Sequence, residues 1–135
     1  MKSLALVAAL ALVAAAPQAA LAQADFLTAK KVACTPVQML ECDAQNQCKG
    51  TPVTEKDKSE VLVLDFTAKK GSIRVGTDIK PFGDVTEDKV EGAARTFQLG
   101  ETGSTVKGSL DKAGKLTLFL GGTSSRAEAT CVAEG

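Results

Sequence analysis

Four cysteines, Cys34, Cys42, Cys48 and Cys131, carry the clearest chemistry in this 135-residue chain. An even count in a small domain suits two structural disulfides. No C-x-x-C pair occurs, so neither a thioredoxin-like redox centre nor the paired knuckles of a four-thiolate zinc site is indicated. Four cysteines allow three connectivities. The spacing favours Cys42–Cys48, because Asp43-Ala44-Gln45-Asn46-Gln47 reads as a hairpin loop. It leaves Cys34–Cys131, which would tie the first strand to the last. Pairing Cys48 with Cys131 instead preserves most of this argument.

Other reactive patterns are thin. The chain has no His, Trp or Tyr, which removes imidazole bases, Ser-His-Asp triads and histidine-bound zinc. Asp84, Glu87, Asp88 and Glu91 offer hard oxygen ligands for calcium, but their spacing matches no EF-hand loop, and Lys89 and Arg95 lie close by. They read as a charged, solvated face. Ser104-Thr-Val-Lys107 has the letters of an S-x-x-K motif. In a strand, residues three apart point to opposite faces, whereas the penicillin-binding site needs them on a helix. No metal, cofactor or catalytic residue is therefore expected, and the chain reads as a non-enzyme.

The elements that position the cysteines begin after a leader. Lys2, the apolar run Leu4–Ala16 and the A-x-A sites Ala20-Leu21-Ala22 and Ala22-Gln23-Ala24 make a secretory signal peptide over residues 1–24. Cleavage after Ala22 and after Ala24 are both compatible with the sequence. The run is short for a membrane span and no second one follows, so no transmembrane segment is expected in the mature protein. Export would place the thiols in an oxidising compartment, periplasmic or secreted. Loss of Lys2 leaves 15 basic against 16 acidic side chains, a net charge of −1. That balance argues against nucleic acid and against anionic lipid as partners.

Residues 25–135 form a single domain by length. Asp25–Lys31 reads either as a short helix or as a frayed end. Beyond Cys34 the hydrophobic period is two. Leu62, Leu64 and Phe66 share one face of a strand; Phe97 and Leu99 share another. Val106, Gly108 and Leu110 follow, then Leu116, Leu118 and Leu120, then Ala127, Ala129 and Cys131. Gly76–Gly83 reads as a loop and Asp84–Glu91 as a mixed segment. Recurrent glycines between short strands predict an all-β antiparallel meander of about seven to nine strands, closed into a small barrel or sandwich.

Small inward residues such as Gly108 suggest an internal cavity lined by Leu62, Leu64, Phe66, Phe97, Gly108, Leu116 and Leu118, since barrels of this size can hold one small ligand. Val61, Val63, Phe119 and Val132 fall on outer faces and would form a partner surface if they cluster. The layout of Cys34, Cys42 and Cys48 early and Cys131 late resembles that of small exported four-cysteine proteins of Gram-negative bacteria, a resemblance that carries no functional residue across. The architecture resembles lipocalin-like binders and bacterial protease inhibitors, although the Gly-x-Trp motif of lipocalins is absent. The expectation is a monomeric, exported binding module of the cell envelope that holds a small apolar ligand or an envelope protein. The alternative is a structural or protease-inhibitor-like protein acting by surface contact.

Overall fold

The computed structural model describes residues 25–120 and 124–134. The leader over residues 1–24, with both cleavage sites, lies outside the described residues. Nine strands form one antiparallel sheet: β1 (Lys31–Cys42), β2 (Cys48–Pro52), β3 (Val61–Asp65), β4 (Lys70–Val75), β5 (Asp78–Glu91), β6 (Ala94–Glu101), β7 (Ser104–Asp111), β8 (Lys115–Leu120) and β9 (Ser125–Ala133). From β3 to β9 each strand pairs with the next, and β9 returns to β1. Eight strands thereby close a barrel; β2 lies outside the ring as a hairpin partner of β1. Closure removes the exposed edges that an open sheet would carry.

The period-two pattern explains the interior. Val32, Leu64, Leu99, Leu110 and Leu116 are almost wholly buried; Leu99, Leu110 and Leu116 alternate with exposed or half-buried neighbours, whereas Ala33 and Val63, beside Val32 and Leu64, are buried as well. Phe97 and Phe66 meet edge to face, with centroids 5.5 Å apart. Each disulfide joins residues directly opposed in the antiparallel register: Cys34 faces Cys131 across β1–β9, and Cys42 faces Cys48 across β1–β2. The expected pairing is therefore the one formed. Two disulfides fit an oxidising environment.

Three expected segments differ. Asp25–Lys31 is not a helix: residues 26–28 form a turn, which the Asp25 carboxylate stabilises by accepting the Leu27 N–H at 3.0 Å. The one described helix, α1 (Glu55–Lys58), is a single turn held by a capping box between Thr54 and Asp57. Gly76–Gly83 and Asp84–Glu91 are mostly one long strand, β5. Two register shifts hid it, one opposite Gly71/Ser72 and one between Thr86 and Lys89. A bulge turns the side chains to the other face, so no single alternation runs through the strand.

Glu128 fastens the closing seam. Its largely buried carboxylate on β9 accepts from Gln38 on β1 and from Lys115 on β8 at 2.9 Å. Burial by itself raises this carboxyl, but the bonds from Lys115 and Gln38 outweigh it and hold the group below 4.5. Glu134 is likewise held down, by Arg74 at 3.0 Å. Protons then bind the unfolded chain more readily than the folded one. This part of the stability is complete above the ordinary carboxylate range and is lost as pH falls through the lowered values. Thermal unfolding followed by circular dichroism should show a midpoint that falls below about pH 4.5, and Glu128→Gln should flatten that fall. A midpoint that falls just as steeply in the variant would remove Glu128 from the account.

Candidate functional site

The two ends of the barrel are built differently. One end is plugged by the segment ahead of β1. Phe26 is buried against the core, and its ring lies where a Cβ on Gly114 would fall, 2.8 Å from Cζ. Arg95, on β6 opposite Leu110, points inward beneath this segment. Its guanidinium donates to both oxygens of Asp88 at 2.7 Å, and to the carbonyls of Ala29 at 2.7 Å and Phe26 at 3.4 Å. It also lies 3.6 Å from the Phe66 ring centroid. Four hydrogen bonds and one aromatic ring thus meet this buried cation, which is what makes its burial tolerable.

The other end is open. Asp84 is the register partner of Lys70 at the start of β4 and also of Gly100 near the end of β6. Residues 78–83 therefore pair with β4 alone and overhang the barrel rim. The overhang carries Ile79, Pro81 and Phe82, with Ile79 66% exposed and Phe82 45% exposed. Beneath it lies a cavity of about 710 Å³, open to solvent. Its apolar wall is Leu99, Val106, Leu118 and Leu120 from β6, β7 and β8, facing Ile79, Pro81 and Phe82.

Glycine shapes this mouth. Gly83 has φ +131, and a Cβ there would sit 2.6 Å from the Gly100 Cα, so no other residue lets β5 and β6 approach so closely. Polar groups gather on the rim. The Lys70 ammonium bridges the Asp84 carboxylate at 2.7 Å, and Ser72, Glu101 and Ser104 complete the border.

Of the seven residues expected to line a cavity, Leu118 alone borders the mouth. Leu62, Leu64, Phe66, Phe97 and Leu116 are packed in the core. The space that Gly108 leaves is filled by the Phe97 ring, which presses on it from β6. The small residue thus accommodates a large neighbour instead of a ligand. Gly108→Leu is expected to destabilise by about 1–3 kcal/mol through overpacking, measured by urea unfolding. An unchanged midpoint would mean that Phe97 can move aside.

The remaining candidates separate. Asp84 is paired to Lys70, Asp88 to Arg95 and Glu91 to Lys89 at 2.7 Å. Among the described residues no three carboxylates, cysteines or histidines gather as metal ligands. Ser104 lies on the mouth rim and Lys107 beside Glu91, away from it. The expected outer patch divides: Val63 is buried, its cross-strand neighbour Ala33 pairs with Val132, and Phe119 sits apart under Arg126 at 5.3 Å. Sequence reading placed Leu99, Val106 and Leu120 on strand faces without assigning them to a cavity, and missed Ile79, Pro81 and Phe82. The available signal was Ile79-Lys-Pro-Phe82, an apolar group inside a segment read as a loop.

Among the described residues no helix is long and apolar enough to cross a membrane. Compared with models of known families, with curated proteins and with solved structures, the chain finds no match.

Proposed function

We propose that this protein is an exported, non-enzymatic binding module of the cell envelope that holds a small apolar ligand in the open mouth of its barrel. The observation that carries the reading is the cavity itself. At about 710 Å³ it falls within the range of roughly 300–1,000 Å³ typical of small-molecule sites. Its wall is aliphatic and aromatic, and its few polar groups, Lys70, Ser72, Asp84, Glu101 and Ser104, stand at the rim, an arrangement that binds by burial and orients by hydrogen bonds. Export is supported by the leader-like first 24 residues and by the two disulfides.

The absence of Trp and Tyr makes an optical test clean. Titration with the neutral dye N-phenyl-1-naphthylamine should give enhanced, saturable emission at one dye per chain, displaced by decan-1-ol. Ile79→Ser combined with Phe82→Ser should weaken this binding, and their exposure means the barrel should fold unchanged. Absence of saturable emission from the unaltered protein would refute the reading and direct attention to a protein partner at the same apolar rim. Binding that the double variant does not affect would place the ligand elsewhere.

A further inference from the structure

We infer that the ligand of this mouth carries a polar end that is not anionic, and that an ammonium end is preferred over a hydroxyl and a hydroxyl over a carboxylate. The inference rests on the binding reading above and names the class of molecule it would take. Three charged residues border the cavity: Lys70, Asp84 and Glu101. The single cation is already satisfied, since its ammonium lies 2.7 Å from the Asp84 carboxylate. A ligand carboxylate would have to compete with that bridge. Glu101 closes β6, directly opposite Ser104 across the β6–β7 turn. Among the described residues it belongs to no ion pair.

The border therefore carries a net charge of −1, with the surplus on Glu101 beside the Ser104 hydroxyl. Like charge at a rim repels an approaching head group, and opposite charge attracts it. The tip of the overhang adds Asp78 and Lys80, which cancel and do not border the cavity. A solvent-exposed carboxylate contributes modestly, so the discrimination should be about threefold to fivefold per step at low salt and should fade as salt is added.

The test compares three amphiphiles of one chain length, decylamine, decan-1-ol and decanoate, each below its micelle concentration at neutral pH. Each displaces N-phenyl-1-naphthylamine from the full chain. The expected order is amine, then alcohol, then carboxylate. Glu101→Gln should bring amine, alcohol and carboxylate together, and Glu101→Lys should place the carboxylate ahead of the amine. Decanoate binding as tightly as decylamine to the unaltered protein overturns the inference while the mouth remains a binding site. A preference that survives Glu101→Gln overturns the role of Glu101. If none of the three displaces the dye, the reading of the mouth fails, and the head-group assignment fails with it.

Discussion

Replacing Cys34 and Cys131 together with alanine is expected to cost about 4–5 kcal/mol of unfolding free energy. The bridge spans 97 residues and joins directly opposed positions of the first and last strands of the barrel. Without it, β1 and β9 must find each other from the two ends of the chain, at the full loop-closure entropy. The nine register pairs from Val32↔Ala133 to Glu41↔Ser125 would then have to offset that cost unaided. The Cys42–Cys48 bridge is the internal control. It spans six positions across a hairpin that the Asp43 N–H to Gln47 carbonyl bond already closes at 2.9 Å. Its removal should cost roughly half as much. Urea unfolding followed by far-ultraviolet circular dichroism measures both. Equal losses from the two double variants would show that loop length does not govern the stabilisation. Since small domains hold about 5–15 kcal/mol in total, the Cys34/Cys131 variant should stand near the limit of folding.

Arg95→Leu is expected to cost about 3 kcal/mol, the lower end of the range for breaking a buried ion pair. The lower end applies because the Asp88 side chain is 28% exposed and can regain water once its partner is gone. The Ala29 and Phe26 carbonyls would lose their donor, and the Phe66 ring its cation. The damage should be local as well as global. Phe26 would no longer be held over the barrel end, so amide exchange should quicken across residues 26–30. Arg95→Lys should recover only part of the loss, because an ammonium cannot hold both oxygens of Asp88 in a planar fork while also bonding the carbonyls and stacking on Phe66. A lysine variant as stable as the parent would reduce Arg95 to a mere positive charge.

These two effects illustrate how differently parts of the molecule can be read from the chain. The strands around Leu62–Phe66, Phe97–Leu99 and Leu116–Leu120 announce themselves because alternation is a local property with a period of two. The Cys42–Cys48 pair is suggested for the same reason: five residues separate its members, the turn formers Asp43 and Asn46 among them, and a hairpin brings its ends together. With that pair assigned, Cys34 and Cys131 remain for each other. The meander follows, and a sheet of this many strands has to hide its edges as a barrel or a sandwich; the β1–β9 pairing decides for the barrel.

The mouth could not be found in this way. It exists because β4 pairs with residues 78–84 and β6 with residues 84–91, a stagger that leaves Ile79, Pro81 and Phe82 beyond the rim. Stagger is a relation between three strands, and two bulges in β5 erase the alternation that would have marked it. The expected interior cavity fails for a related reason. Gly108 announces missing volume, but only the β6–β7 register shows that Phe97 occupies it. Arg95 reads in the chain as one more charge beside an acidic run, and its burial depends on partners 66 and 69 residues away. The sequence alone determined local periodicity and turns, and favoured without deciding the pairing of nearby cysteines, because these depend on neighbours along the chain. Tertiary structure decided which end of the barrel is sealed and which is open, because that depends on register, bulges and long-range contacts between residues that local patterning does not relate.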